Sequence, residues 1–187
     1  PLTRLKLQLA MINEKDLSKK MSRDIDEMEK MLNDYLQFAK TQSQENTTKI
    51  DLKNLFNELV EDINSKNLKV IISDSIVLNG RPFALKRSFK NIIYNGLTYG
   101  KNVEVNVQKG NNRASISIHD DGPGIPEDQY KNVFKPFFRL DKSRSLNQSG
   151  VGLGLAIVED IINSHGGNIQ LGKSKNNGLL VKISLPY

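Results

Sequence analysis

No cysteine occurs among the 187 residues, which excludes disulfides, zinc–thiolate sites and a thiol nucleophile. No apolar run approaches the roughly 18 residues of a membrane span, and no signal-peptide pattern opens the chain. Aromatics make up only 6% of the sequence, and histidine appears twice, as His119 and His165. There are no internal repeats. The excess of positive charge is modest: +6, with acids dispersed among the lysines and arginines, so solvated faces explain it and a nucleic-acid partner is not expected. What is present, 37% hydrophobic and 26% charged residues, suits a protein with much exposed surface in a reducing cytoplasm. The length allows one ordinary domain and a smaller element beside it.

Two segments read differently. In "PLTRLKLQLAMI", Leu2, Leu5, Leu9 and Ile12 make one helical stripe. After a polar break, Met21, Ile25, Met28, Leu32, Tyr35 and Ala39 step by four and three, the seam of a coiled coil. Together these predict an antiparallel helical hairpin over residues 1–42. Two helices bury little alone, so pairing with a second copy into a four-helix bundle is expected. The apolar-free stretch "TQSQENTT" marks a linker, set at residues 43–49. Residues 50–187 mix helix and strand. "LKNLFNELVEDI", "PFALKRSFKNIIYNGLTYG" and "GLAIVEDIINSHGG" read as helices, the second with Pro82 at its start. "LKVIISD" and "SIVLNG" read as short strands. "VEVNVQ" and "ASISIHD" alternate across the turn "KGNNR", and "NIQLGKS" and "GLLVKISLPY" meet across Asn176, Asn177 and Gly178 as a second hairpin. Helices interrupting an antiparallel-rich sheet give an α+β fold, a two-layer α/β sandwich with the helices on one face.

Four stretches carry chemistry. In "NIIYN", Asn91 and Asn95 share one helix face with Arg87 a turn earlier; carboxamide oxygens suit Mg²⁺, though two solvated asparagines would look the same. "HDDGPGIP" ends a strand in Asp120 and Asp121 ahead of Gly122 and Gly124. It fits either a tight turn or an acid that accepts a hydrogen bond from a base amino group, with glycines passing close to a flat ring. "YKNVFKPFFRLDKSRSLNQSG" sets Phe134, Phe137 and Phe138 as anchors among Arg139, Lys142 and Arg144, a surface loop or a lid over phosphates. In "GVGLGL", Gly150, Gly152 and Gly154 precede a helix, where each glycine costs about 1 kcal/mol against alanine. Close approach of an anion to a helix N-terminus is a reason for them.

The order of the four is more specific than any one of them. "NIIYN", "DDGPG", "FKPFFR" and "GVGLGL" resemble the successive boxes of the catalytic ATP-binding domain of sensor histidine kinases, the Bergerat-type fold shared with gyrase, the MutL repair proteins and Hsp90. The opening "PLTRLKLQLAMI" resembles the continuation of the kinase H-box, and "RPFALKRSFKNIIYNGLTYG" looks most like the osmosensor class. The resemblance implies ATP and Mg²⁺ as cofactors, with the phosphoacceptor histidine expected just upstream of Pro1. Asn91 and Asn95 would hold the metal and phosphates. Asn95 and Arg139 would be the catalytic pair. Asp120 would read the adenine amino group, with Tyr99, Gly122 and Gly124 around the ring. Lys142 and Arg144 would meet phosphate from the lid, and Gly150, Gly152, Leu153 and Gly154 would border it at the helix start.

The resemblance also implies partners: a second copy through the hairpin, and a response-regulator receiver domain that takes the phosphoryl group on an aspartate. A membrane link is expected only through an upstream sensor. One position departs from the pattern. Many members carry lysine or arginine before the tyrosine that ends the asparagine helix, and here the residue is Thr98. That phosphate contact then falls to Arg87 or the lid. His119 and His165 lie outside any H-box and read as structural. Two other activities share much of this pattern: a nucleotide-gated dimer without catalysis, and an ATPase of the gyrase, MutL or Hsp90 type. The ATPases use a carboxylate beside the metal-binding asparagine, which "KNIIYN" lacks.

Overall fold

The structure, a computed structural model, describes residues 45–140 and 152–187 together with residues 21, 22, 25, 26, 28, 29 and 32. Those isolated positions are helical; the rest of the expected hairpin lies outside the described residues. The order is β1 (Thr48–Asp51), α1 (Leu52–Ile63), β2 (Leu68–Ile72), β3 (Val77–Gly80), α2 (Pro82–Tyr99), β4 (Val103–Lys109), β5 (Arg113–Asp120), α3 (Gly154–Ser164), β6 (Asn168–Lys173) and β7 (Leu179–Pro186). Two short 3₁₀ turns, Glu127–Gln129 and Asn132–Phe134, lie between β5 and α3.

Five strands form one sheet in the order β2-β4-β5-β7-β6. β2 runs parallel to β4, and the other pairs are antiparallel, with Val105 opposite Ile118, Ile116 opposite Ile183 and Ile183 opposite Ile169. Side chains alternate across a pleated strand. Val103, Val105 and Val107 of β4, Ala114, Ile116 and Ile118 of β5, and Val181, Ile183 and Leu185 of β7 therefore all face one way and are buried. All three helices cover that face. Leu52, Leu55, Phe56 and Leu59 of α1, Leu85, Phe89, Ile92 and Ile93 of α2, and Ile157, Val158, Ile161 and Ile162 of α3 join the same core. Phe56 and Phe89 meet with ring centroids 4.7 Å apart, within the range that favours aromatic pairs. The opposite sheet face carries Glu104, Asn106, Ser115, Ser117 and His119. This is the two-layer α+β sandwich expected from the pattern.

One strand had no sequence signal. β1 takes in Thr48 and Lys49, which composition assigns to the linker, and pairs antiparallel with β3 in a separate two-stranded sheet. Only Ile50 of this strand is buried, opposite Leu78, so no alternation was visible. Glu45 also reaches the domain. Its carboxylate accepts from the backbone N–H groups of Phe83 (2.6 Å) and Ala84 (3.0 Å), satisfying donors that α2's first turn leaves open, since Arg81 at the cap supplies no side-chain bond. α1 is capped by Asp51, which accepts from Lys53 N–H at 2.8 Å and is held by Ser75 Oγ at 2.7 Å. Lys86 ties α2 to Glu58 (2.8 Å) and Asp62 (3.2 Å) of α1.

Candidate functional site

A cavity of about 760 Å³ opens between α2, the C-terminal end of β5, the segment after it and the start of α3. Its position follows from the two helices. α2 sinks Leu85, Phe89, Ile92 and Gly96 toward the sheet, and the neighbouring stripe, Arg87, Asn91, Asn95 and Tyr99, repeats every four residues along the wall of the cavity. Asn91 and Asn95 are half-buried, and their amides make no hydrogen bond within the described residues. Thr98 is exposed and off that wall.

Asp120 stands at the C-terminal end of this stripe, 9% exposed. The N–H groups of Gly122 and Leu179 both donate to its Oδ1, each at 2.9 Å. Among the described residues nothing donates to Oδ2. Close approaches of two glycines also hold the acid in place. A Cβ on Gly96 would lie 2.6 Å from Val103 Cγ2 and 3.3 Å from Asp120 Cβ, so glycine lets α2 close on the strand. A Cβ on Gly178 would overlap Asp120 Oδ1 and the Asp120 carbonyl oxygen. Gly96, Gly178 and the Leu179 amide position Asp120, a set of contacts that sequence reasoning missed. Gly178 read as an ordinary hairpin turn, and no local signal linked it to residue 120.

The second aspartate of the pair works elsewhere. Asp121 Oδ1 accepts from the N–H groups of Lys101 (2.6 Å) and Asn102 (2.8 Å), and Oδ2 accepts from Asn102 Nδ2 at 2.8 Å. These bonds, led by those from Asn102, hold its carboxyl down at about 2 and pin the loop that follows α2 to the end of β5. Gly122 does not line the cavity. Its small size lets β5 pass the carbonyl group of Tyr99, whose carbon and oxygen would both lie 3.1 Å from a Cβ there. Gly124, at φ 71°, does line it.

The far wall comes from the phenylalanine segment and the glycine-rich turn. Phe137 N–H donates to the Gly152 carbonyl at 3.0 Å. Gly152 has φ 78°, and a Cβ there would lie 2.8 Å from the Phe138 carbonyl oxygen, so the demand for glycine at this position is met within the protein. Leu153 and Gly154 line the cavity where α3 begins, with no side chain capping the helix. Gly154 comes opposite Asn95, its notional Cβ 3.8 Å from Nδ2. Phe134 packs on the core and Phe138 on the cavity. Phe137 is not the anchor expected of it: it sits at φ 64° in the turn that clasps Gly152 and is 54% exposed. Arg139 lines the cavity. Lys142, Arg144 and Gly150 lie outside the described residues.

Neither histidine lines the cavity. His165 Nδ1–H donates to the Ile161 carbonyl (2.6 Å) and Nε2 accepts from Arg81 N–H (3.0 Å), which fixes the neutral tautomer between α3 and the start of α2. Burial holds its pKa below the usual value. His119 lies on the outer sheet face, its pKa also lowered by burial. No cluster of three or more His, Cys, Asp or Glu side chains that could cage a metal occurs among the described residues. Among the described residues the cavity offers a metal the carboxamide oxygens of Asn91 and Asn95 rather than a carboxylate cage, and amide oxygens shared with water and ligand phosphate suit Mg²⁺. Among the described residues no helix is long and apolar enough to cross a membrane.

A cleft at the end of a helix-roofed sheet, with one buried acid and a stripe of amides, defines a nucleotide-binding domain. The chain belongs to the histidine kinase-, DNA gyrase B- and HSP90-like ATPase family, whose model matches residues 80–187. It is 34% identical to the sensor histidine kinase GtrS of Pseudomonas aeruginosa over 188 residues, which take in 100% of this chain and 39% of GtrS. Among solved structures it is similar to the mycobacterial sensor histidine kinase MprB (TM-score 0.66, 26% identity, 75% of this chain and 97% of that one). It is also similar to the histidine kinase domain of the E. coli osmosensor EnvZ (TM-score 0.60, 34% identity, 77% of this chain and 91% of that one). Within the family it is the ATP-binding catalytic domain of the sensor histidine kinases. The chain spans less than half the length of the full-length relatives it matches.

Proposed function

We propose that the protein binds Mg-ATP in this cavity and presents the γ-phosphoryl group to a histidine on a stem helix, from which it passes to an aspartate of a response-regulator receiver domain. The observation that carries the reading is the division of labour at Asp120. Two backbone amides fix Oδ1, and Oδ2 is left to accept from the amino group of adenine. Along the same wall Asn91 and Asn95 offer carboxamide oxygens without partners of their own among the described residues, a fit for an ion that keeps part of its water shell and shares the phosphates. Bound there, Mg²⁺ would neutralise phosphate charge. Asn95 orients the tail against the start of α3, whose open N–H groups at Leu153 and Gly154 favour an anion, and Arg139 faces it from the lid side. Phosphoryl transfer asks for positioning and charge stabilisation rather than a protein nucleophile, and the cavity offers cations and amides of that kind. Lys142, Arg144 and Gly150 extend the lid in the same reading, and Tyr99 and Gly124 flank the adenine.

Hydrolysis is the weaker reading. Activating water needs a base at the terminal phosphate, and Asp120, at the adenine end, is the one carboxylate on the cavity wall among the described residues. The protein is taken to act as a homodimer through its hairpin. Met21, Met28 and Leu32 are helical and exposed there, an apolar surface that wants a partner. In this reading the domain is cytoplasmic and joins an upstream membrane sensor through the stem. The test is phosphotransfer. A histidine-bearing stem segment joined ahead of Pro1 should take acid-labile phosphate from ATP, and Asn95→Ala should abolish it while the domain stays folded. Steady ATP hydrolysis without phosphohistidine would overturn the proposal.

A further inference from the structure

The cavity has an acidic end and a basic end, and α2 connects them. Asp120 meets α2 at Gly96, and Gly122 just beyond it passes the backbone of Tyr99. Moving toward the helix N-terminus, the wall presents Asn95, then Asn91, then Arg87. At 1.5 Å per residue, Arg87 stands about 6 Å beyond Asn91 and about 18 Å beyond Tyr99. A triphosphate is repelled by the Asp120 carboxylate, and with the base at that acid the stripe of Asn95, Asn91 and Arg87 gives its tail a polar path away from that charge. Arg87 and Asn91 line both the cavity and an adjoining groove of about 330 Å³ bordered by Asp62, Phe83, Lys86 and Lys90.

We infer that Arg87 binds the terminal phosphate of the nucleotide, at the end of the cavity wall that also borders the groove, so that the group to be transferred faces outward along α2. This rests on the reading that the cavity holds Mg-ATP and adds the direction of the tail and the cation that ends it. Thr98, where many relatives carry a phosphate-binding cation, is exposed and off the wall, so it does not share the task. Guanidinium matches two phosphate oxygens at once and lysine only one, which predicts a graded series.

The experiment is calorimetry of Mg-ATP and Mg-ADP on the whole 187-residue chain, wild type, Arg87→Ala and Arg87→Lys, with circular dichroism to confirm folding. A charge-assisted contact of this type is worth about tenfold to a hundredfold in affinity. Arg87→Ala should weaken ATP by at least about tenfold and leave ADP within about twofold, with Arg87→Lys between. Equal loss of both nucleotides, or loss of neither, overturns the inference while leaving the nucleotide site intact. A wild-type chain that takes up neither nucleotide overturns the site reading itself. Should Arg87→Ala not fold, Arg87→Lys decides alone, since a narrowed ATP-to-ADP ratio is expected of it and an unchanged ratio refutes.

Discussion

Replacing Asp120 by asparagine separates the two tasks of one side chain. The amide keeps an oxygen for the N–H groups of Gly122 and Leu179, each 2.9 Å from Oδ1, so the local fold should survive. At the other position an NH₂ replaces the carboxylate oxygen, and a donor then faces the donor on adenine. Loss of a hydrogen bond to a charged acceptor costs about 1.5–3 kcal/mol, and the mismatch adds to it, so Kd for Mg-ATP should rise about a hundredfold. Melting temperature without nucleotide should fall by only a few degrees. Asp120→Ala is different. It strands two half-buried N–H groups at up to about 1–3 kcal/mol each, a large part of a typical stability of about 5–15 kcal/mol. Calorimetry with ATP and with a 6-oxopurine triphosphate, beside thermal melts, reads both effects. Asp120→Asn that binds ATP as tightly as wild type, or that melts as badly as Asp120→Ala, would refute the division of roles.

Three other outcomes follow from the same geometry. Gly178→Ala drives a methyl group into Asp120 and toward Gly122 N, 2.6 Å away; overpacking of this kind costs about 1–3 kcal/mol, and nucleotide affinity should fall with melting temperature although residue 178 touches no nucleotide. Ser88 Oγ is fully buried with no partner among the described residues, so Ser88→Ala should stabilise by about 1 kcal/mol, seen as a melting point about 3 °C higher. His165 has a folded pKa below its unfolded value of about 6.5. In the window between the two the unfolded chain binds more protons, so its contribution is complete above about pH 6.5 and fades as pH falls through the folded value. His119 shifts the same way, so urea unfolding of His119→Gln at pH 7.5 and pH 5.5 isolates the effect, and equal stability at both would exclude it.

Much of the fold was legible in short range. α1 and α2 follow from apolar residues at helical spacing, and Pro82 opens α2 as its lack of an N–H allows. The β4–β5 and β6–β7 hairpins follow from alternation on either side of polar turns. β1 did not, because a four-residue strand with one buried residue has no period to detect. Within the site, Asn91, Asn95 and Arg87 could be grouped because a helix repeats every 3.6 residues. The exposure of Phe137 could not be read, since it depends on the Gly152 carbonyl reached through the turn.

By itself the sequence determined every element but β1, the polar stripe on α2 and the order of four chemical motifs, because each depends on neighbours a few residues apart. Only the tertiary structure decided that Asp121, next to the acid already singled out, turns away from the cavity and clamps the loop after α2. It also decided that Leu179 and Gly178, 59 and 58 positions further on, hold Asp120 in place. Those contacts exist because β5 and β7 pair side by side, and strand pairing brings together residues whose separation along the chain carries no trace of it.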